Sequence, residues 1–330
     1  MHHELQIRRF VLASWLFGVF SLSFIVGSLS IQIIEVWVIN LLPLLFLSLA
    51  AAVVISCGQI DISTGGVMSL VGMTILFVYG FPANGLGSAL LAHAVALTLV
   101  ILLYWIYSIA VNRGVSSLLV TLSVLMLSKG ASTLLQTCMQ GAGELCRSST
   151  KFAMGNATLP QQFVLPYMDN VFFATGVLAI ILLLATSWRF HSRWGLEHIA
   201  VGMDQTSAKY SRIAVSKIYT LAFLTAGILV FIASLIRLHG QANGGWSANV
   251  GWGEELLAIA VAVIGGTRVT GGRFDPLSII LATAAVYTSR DIVTNDLGVP
   301  SEVASMFFGL VLFVIVWLDT RAQNFRAKHT

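Results

Sequence analysis

The ionisable side chains of this sequence are too few and too scattered to form a recognisable catalytic set. His93 lies in an apolar stretch with no carboxylate or Cys at ligand spacing, which favours a packed or pore-side histidine over a metal ligand. The glycine-rich segment VIGGTRVTGGRFDP (263–276) lacks the G-x-x-x-x-G-K-S/T arrangement of phosphate-binding loops, which occurs nowhere in the chain, so a tight turn is the better interpretation. The sequence therefore predicts a protein that is not an enzyme and has no catalytic, cofactor or metal site of its own.

Three cations, Lys129, Arg237 and Arg290, lie within otherwise apolar stretches. Charge is costly in the hydrocarbon of a membrane and often marks a functional position. Each cation falls in the outer third of its predicted span, from where a long side chain can reach the outer interface. The sequence leaves two interpretations open: snorkelling to that interface, or lining an outward-facing vestibule.

The elements that must position these residues are membrane helices. Of the 330 residues, 57% are apolar and only 10% are charged, whereas about 25% are charged in soluble domains. A helix that crosses a bilayer needs about 20 mainly apolar residues. The sequence predicts an all-α integral membrane protein, with one domain over residues 1–330 and ten spans at about 10–31, 36–57, 66–81, 86–107, 115–137, 170–188, 217–238, 254–266, 275–294 and 301–318.

The distribution of Lys and Arg predicts the orientation. With both termini in the cytoplasm, most of these residues fall in inner loops, and only Arg147 and Lys151 fall in outer loops. Juxtamembrane positive charge is retained on the cytoplasmic side. The chain is therefore expected in a bacterial inner membrane, and its basic pI reflects loops that face anionic lipid instead of a nucleic-acid partner.

One basic segment, RFHSRWGLEHIAVGMDQTSAKYSRIAVSK (189–217), separates two predicted spans. The predicted topology places it in the cytoplasm, where it is the part best placed to contact a soluble partner. Helix formers at Gln205–Tyr210 offer a rigid element within this polar loop. Gly202 permits a tight entry to that element, and Asp204 is placed to cap its first turn.

Two polar segments interrupt the apolar pattern. In GQIDISTGG (58–66), Asp61 or Ser63 can cap a helix that begins at about Val67. This segment is either a broken helix that lines a path or gate, or an ordinary turn at the membrane surface. In HGQANGGWSANVGWGEELLAIA (239–260), the two Trp residues are expected in an outer-surface loop as interfacial aromatics. Glu254 and Glu255 then lie in the first turn of the eighth span, as structural caps or with a role in passage.

The longest predicted outer segment, about 138–169, carries Cys138 and Cys146. A periplasmic location would permit a disulfide between them, and two free thiols are the alternative.

Four segments together resemble the membrane permease subunits of carbohydrate ABC importers, the ribose, galactose and autoinducer-2 group. GQIDISTG (58–65) is similar to the family's G-G-x-D-L/I-S-V-G, with Gln59 and Thr64 as departures. VSSLLVTLSVLMLSKG (115–130) is similar to a family motif that ends in R-G, with Lys129 in place of Arg. AVGMDQTSAKYSRI (200–213) departs from its family pattern at Asp204 and Arg212, and EELLAIAVAVIGGTRVTGGRF (254–274) follows E-L-x-A-I-A-A-V-V-I-G-G-T closely.

The resemblance implies partners and site residues. It implies a second permease subunit, the same or a paralogue, cytoplasmic ATPase subunits that bind ATP and Mg, and a periplasmic sugar-binding protein. It places the coupling element that docks on the ATPase within 200–213. The expected coupling residues are Gly202, Asp204, Gln205, Thr206, Ser207 and Ala208, and those of a gate or translocation path are Gln59, Asp61, Ser63, Lys129 and Glu255.

Other functions stay open at this point. Related ABC permeases carry nucleosides or branched-chain amino acids, although the D-I-S-T-G sequence favours the sugar group. An ion-coupled secondary transporter would need paired ionisable groups near the bilayer midplane, and the sequence suggests none. A membrane scaffold is a third possibility, which the broken-helix segments disfavour. The sequence does not indicate which sugar is carried.

Overall fold

The computed structural model describes residues 2–26, 31–79, 86–139, 192–240 and 246–300, with isolated positions at 180 and between 303 and 317. In these ranges the regular elements are helices: α1 (His2–Val26), α2 (Ile31–Ser56), α3 (Thr64–Tyr79), α4 (Leu86–Asn112), α5 (Ser117–Met139), α6 (Arg193–Met203), α7 (Gln205–Tyr210), α8 (Val215–Gly240), α9 (Glu254–Ile264) and α10 (Pro276–Asp291), followed by a π-helical turn (Ile292–Asp296).

The predicted all-α membrane architecture is confirmed. Eight of the ten predicted spans coincide with helices, whereas the sixth (170–188) and most of the tenth (301–318) lie outside the described residues. Five helices in the described ranges are long and apolar enough to cross a membrane: those over Leu5–Phe24, Gly87–Asn112, Ser117–Met139, Val215–Gly240 and Pro276–Asp296. The helix over Thr64–Tyr79 is apolar but shorter, and α9 has only 11 residues.

The centre of the bundle is α2. Every residue from 41 to 57 is buried, which is expected for a helix that is apolar all round. On one side α2 packs against α8, and on the other against α9 and α10. The helices α3 and α4 extend the bundle beyond α8, α5 packs on α3, and α1 packs on α10.

Two arginines attach α1 to the turn between α9 and α10. The Arg8 guanidinium donates to the carbonyl oxygens of Val263 and Ile264, both at 3.1 Å, at the C-terminal end of α9. The Arg9 guanidinium binds both carboxylate oxygens of Asp275, at 3.2 and 2.8 Å. Arg8 and Arg9 thus hold the first helix against the α9–α10 turn.

The predicted outer segment lies almost wholly outside the described residues. Cys138, in the last turn of α5, is disulfide-bonded, which agrees with the first of the two alternatives, and Cys146 is not among the described residues. Cys57 is free and buried.

Candidate functional site

The polar segment between α2 and α3 is built around a fully buried carboxylate. Asp61 accepts hydrogen bonds from the Ser63 backbone N–H at 2.8 Å, the Ser63 hydroxyl at 2.6 Å and the Tyr104 hydroxyl at 3.0 Å. The Tyr107 hydroxyl donates to Ser63 Oγ at 3.2 Å. A buried carboxylate needs this number of donors to offset its desolvation. Helix α3 begins at Thr64, three residues before the predicted start at Val67.

Neighbouring helices hold the extended backbone of this segment. The backbone N–H of Ile60 donates to Ser117 Oγ at 3.1 Å, and that of Ile62 donates to Thr121 Oγ1 at 3.3 Å, both on α5. The Gln59 side chain hydrogen-bonds to Tyr219 on α8. These contacts replace the helical hydrogen bonds that the broken backbone lacks.

The depth of the segment excludes a surface turn. Helix α4 continues for eight residues beyond Tyr104, to Asn112, which corresponds to about 12 Å at 1.5 Å per residue. Tyr104 also packs against Gly227, which lies 12 residues into α8, and a Cβ there would come within 2.7 Å of its ring. Of the two interpretations of the segment, the broken helix inside the bundle is confirmed.

The second polar segment also lies inside the bundle. From 246 to 251 the chain runs antiparallel to the first turns of α3: Trp246 packs on Gly72 and donates to the Ser69 carbonyl oxygen at 3.2 Å. The Ser69 hydroxyl donates to the Ala248 carbonyl oxygen at 2.9 Å. The expectation that Trp246 is an interfacial aromatic is wrong, because the indole is 4% exposed and fills the space left by a glycine of α3. Trp252, in contrast, is 53% exposed.

The N-termini of α3 and α9 meet at two glycines. A Cβ on Gly65 would come within 2.1 Å of the Gly251 carbonyl oxygen and would also overlap the Glu255 carboxylate, so only glycine fits. Both carboxylate oxygens of Glu255 accept from the Gly253 backbone N–H at 3.1 Å, at the start of α9. Each helix N-terminus carries a partial positive charge of about half a unit. The expected capping role of Glu255 is confirmed, and the same carboxylate lies against the start of α3.

The three cations within apolar stretches have different surroundings. Lys129 Nζ donates to the Ala248 carbonyl oxygen at 3.0 Å and to Asn249 Oδ1 at 2.6 Å, and lies 4.5 Å from the ring centroid of Trp252. Arg290 and Glu254 form a half-buried ion pair at 3.4 Å. Lys129 and Arg290 thus bind the 246–255 segment instead of reaching out to an interface.

Arg237 lines a small cavity between α2, α3, α8, the start of α9 and α10. The cavity is ≈ 40 Å³ and is bounded by residues that include Asn40, Met68, Glu254 and Tyr287. This volume admits a few water molecules but is far below the roughly 300 Å³ at which small-molecule sites begin. It is not a vestibule of substrate size.

The predicted coupling segment folds into two short helices, α6 and α7, outside the long apolar helices. Asp204 ends α6 and caps α7, as expected: its carboxylate accepts from the backbone N–H of Thr206 at 2.9 Å and of Ser207 at 3.3 Å, and from the Ser207 hydroxyl. The Ser207 hydroxyl first, and the Thr206 N–H with it, lower the pKa of Asp204, so the carboxylate is charged at neutral pH.

Glycine contacts attach α6 to the ends of α2 and of the α9–α10 turn. The space for a Cβ on Gly202 is occupied by the Ser56 carbonyl oxygen and by the Gly272 backbone nitrogen. The Gly272 N–H in turn donates to the Ser56 carbonyl oxygen at 2.8 Å. A side chain at Gly202 would therefore clash with backbone, and the atoms that it would meet belong to two other elements of the membrane domain.

A histidine adds a second attachment of α6 to α2. His198, 3% exposed, places Nε2 2.7 Å from the Val53 carbonyl oxygen and 2.9 Å from Ser56 Oγ. Because a carbonyl oxygen can only accept, Nε2 carries the proton. Burial lowers the pKa of His198 to about 4, so the docked imidazole is neutral. Sequence reasoning missed this residue, since a single histidine in a basic loop gives no signal of its partners.

Of the six predicted coupling residues, four are exposed, and Gly202 and Ala208 are buried. Met203, Gln205, Thr206 and Tyr210 are exposed, with Tyr210 86% accessible. Ala208 is 3% exposed and belongs to the core of this chain. It therefore orients α7 from within, and the expectation that it contacts a partner directly is wrong.

His93 has a histidine partner that sequence spacing did not show. His93 Nε2 and His239 Nε2, on α4 and α8, are 3.0 Å apart, and His93 Nδ1 lies 2.7 Å from the Ala89 carbonyl oxygen. The distance is that of an N–H···N hydrogen bond between the two rings, which supports the packed interpretation. Among the described residues there is no group of three or more His, Cys, Asp or Glu that could hold a metal ion.

Comparison with known proteins identifies one family and several relatives that are import permeases. Residues 33–316 match the family described as the permease component of the branched-chain amino acid transport system. A fructose import permease of Bifidobacterium longum (strain NCC 2705) is 26% identical over 285 residues, 84% of this chain and 79% of that protein. A ribose import permease of Escherichia coli (strain K12) is 26% identical over 278 residues, 84% of this chain and 82% of that protein. An autoinducer 2 import system permease of Klebsiella pneumoniae is 30% identical over 285 residues, 82% and 77% of the two chains. No solved structure matches the chain.

Proposed function

Because the chain belongs to the family described as the permease component of the branched-chain amino acid transport system, we propose that it is the membrane permease subunit of an ATP-binding cassette importer for a sugar. It is a multi-pass membrane protein with no nucleotide-binding motif in its sequence. The relatives named for fructose, ribose, autoinducer 2 and xylose import favour a sugar or similar small polyol over an amino acid or nucleoside.

The observation that carries this proposal is the attachment of α6 and α7. A permease without its own nucleotide site must receive the energy of ATP hydrolysis by contact with another protein. The segment offers exposed groups on one side, Met203, Gln205, Thr206 and Tyr210, and a rigid connection to the membrane helices on the other, through Gly202 and His198. It is therefore proposed as the coupling element that docks on a cytoplasmic ATPase subunit.

The orientation follows from the same proposal. If α6 and α7 face the cytoplasm, the N-terminal end of α1 does too, because Arg8 and Arg9 bind the α9–α10 turn on which Gly202 rests. This agrees with the placement of both termini in the cytoplasm from the distribution of positive charge. A second permease subunit and a periplasmic binding protein complete the proposed importer.

The broken segments are proposed to border the translocation path. Gln59, Asp61 and Ser63 fix the break before α3, and Glu255 fixes the start of α9 beside it. Discontinuous helices near the midplane are a common way to build a transport path. In this proposal the four residues hold the path in shape, and Lys129 lies at its surface.

The experiment reconstitutes the chain with the ATPase and binding protein of its proposed importer. It measures sugar uptake into proteoliposomes with ATP and no ion gradient, and with an ion gradient and no ATP. Uptake that requires ATP is expected. Uptake driven by an ion gradient without ATP would instead support a secondary transporter and refute the proposal.

A surface variant tests the coupling element. Thr206→Trp adds bulk at an exposed position of α7 and is expected to abolish uptake with the permease still inserted, because α7 can no longer fit its partner. Val115→Trp, at a position 47% exposed just before α5, is the matched control and should transport normally. Normal uptake by Thr206→Trp would exclude α7 from the interface.

A further inference from the structure

We propose that Trp252, with Asn249 and Lys129, forms a contact site for the sugar at about half the depth of the bundle. This inference rests on the proposed function and names a site within it. The indole is 53% exposed, and Asn249 beside it is also exposed. Lys129 binds both, with Nζ 2.6 Å from Asn249 Oδ1 and 4.5 Å from the centroid of the Trp252 ring.

The depth of Trp252 distinguishes it from an interfacial tryptophan. Lys129 lies 12 residues after the start of α5 and 10 before its end, which is about 18 Å and 15 Å along the helix. The preceding residue, Gly251, packs on Gly65 in the first turn of α3. Tryptophans that anchor a protein to the interface lie at the headgroup level, so this position needs another explanation.

The polar groups beside this tryptophan are unsuited to lipid. The exposed face of α5 is mixed, because Ser123, Gly130 and Thr133 share it with exposed apolar residues that include Leu122 and Met126. Lys129 and Asn249 carry the argument, since an ammonium group and an amide exposed to hydrocarbon at this depth would be costly. Around Trp105 on α4, in contrast, the exposed large side chains are apolar, as at Leu102 and Ile106.

The chemistry of the site fits an uncharged polyol. An exposed indole face accepts the C–H face of a pyranose or furanose ring, and the Asn249 amide can bond its hydroxyl groups. Two of the three N–H groups of Lys129 are used by Ala248 and Asn249, which leaves one for a ligand hydroxyl. The Glu255 carboxylate attracts the ammonium group, so the ligand need not itself carry a negative charge.

The first experiment measures access to water. In a cysteine-free background, the thiol of Trp252→Cys should react with a charged methanethiosulfonate reagent. It should react more slowly when the binding protein carries sugar than when it is sugar-free. Trp105→Cys, at an equally exposed tryptophan on α4, is the matched control and should not react. An unreactive thiol at position 252 would place the residue against lipid or a second permease subunit and would overturn the proposal, as would labelling that is insensitive to sugar.

The second experiment measures uptake of D-ribose, D-fructose and D-xylose by the reconstituted complex. Trp252→Leu should lower uptake about tenfold at saturating binding protein, and Trp252→Phe should lower it less, because an aromatic face is retained. Equal uptake by the Leu and Phe variants would refute stacking. If the parent complex shows no ATP-dependent uptake of any sugar that its binding protein carries, the proposed function fails, and the sugar site fails with it. A functional parent with a normal Trp252→Leu variant overturns only the site.

Discussion

A methyl group at Gly202 should separate the coupling element from the membrane helices. In Gly202→Ala the new Cβ would lie 1.9 Å from the Ser56 carbonyl oxygen and 2.5 Å from the Gly272 nitrogen. Cβ contacts below 3.0 Å essentially do not occur, so the backbones must part by about 1.1 Å. Both neighbours are backbone atoms, and neither can rotate away as a side chain would.

The cost of this change follows from the contacts. Overpacking of this kind costs about 1–3 kcal/mol. The Gly272 N–H to Ser56 bond, now 2.8 Å, would stretch beyond hydrogen-bonding range, and its loss adds about 1 kcal/mol. Together these effects amount to about 2–4 kcal/mol, or roughly a 30-fold to 1,000-fold shift of the docked segment toward the undocked state.

The assay is the number of sugar molecules imported per ATP hydrolysed by the reconstituted complex. We expect Gly202→Ala to insert and to bind the ATPase while losing most of its uptake, because α6 no longer moves with α2 and the α9–α10 turn. Gly87→Ala is the matched control, since no atom lies within 4 Å of its Cβ position. It should couple normally, and alanine favours its helix by up to about 1 kcal/mol.

A Gly202→Ala complex that imports as much sugar per ATP as the parent would refute this reasoning. The contact between α6 and the two backbone segments would then not transmit the motion. A loss of coupling in Gly87→Ala as well would show that the assay reports general damage to the fold.

Three further predictions concern other contacts. Burial lowers the pKa of His198 to about 4 from its usual 6.5, so the neutral imidazole stabilises the docking of α6 fully above pH 6.5, and this stability is lost as the pH falls toward 4. His198→Gln should therefore make sugar uptake per ATP less sensitive to pH between 6.5 and 4. An unchanged pH profile in this variant would contradict the argument. Tyr104→Phe removes a hydrogen-bond donor to buried Asp61 and should lower the free energy of unfolding by about 1–3 kcal/mol. The measurement is the Tm in detergent, which should fall. An unchanged Tm would show that the Tyr104 hydroxyl is dispensable. Glu255→Gln should lower the Tm more than Glu254→Gln does. Glu255 caps α9 beside the start of α3, whereas Glu254 forms only a half-buried ion pair with Arg290. An equal decrease in Tm for the two variants would refute the capping argument.

Much of the helix pattern was predictable from the sequence. Eight predicted spans fall on helices because apolar runs of bilayer length have few other solutions in a membrane. The cap at Asp204 was predictable from a local rule, since capping acts within a few residues. The atoms that require glycine at position 202 belong to Ser56 and Gly272, and no local rule indicates them.

The long-range contacts were not predictable in the same way. Nothing near His198 in sequence indicates Val53 or Ser56 as its partners, and a single alanine in α7 gives no sign of which side is buried. The location of Trp246 was predicted wrongly for a related reason. A Gly-rich segment with two tryptophans matches an interfacial loop by composition, and only the packing on Gly72 shows that it enters the bundle.

The meeting of α3 and α9 gives the broken helices a common physical cause. Two helices that begin deep in the bundle bring two positive dipole ends together, and unsatisfied N–H groups with them. The approach is possible because Gly65 and Gly251 lack side chains, and it is tolerated because Glu255 supplies a carboxylate at the junction. Both helices must then be short: α9 runs only 11 residues to the end held by Arg8. Gly65 and Glu255, 190 residues apart in the sequence, therefore belong to one junction. A substitution at either residue should destabilise both α3 and α9.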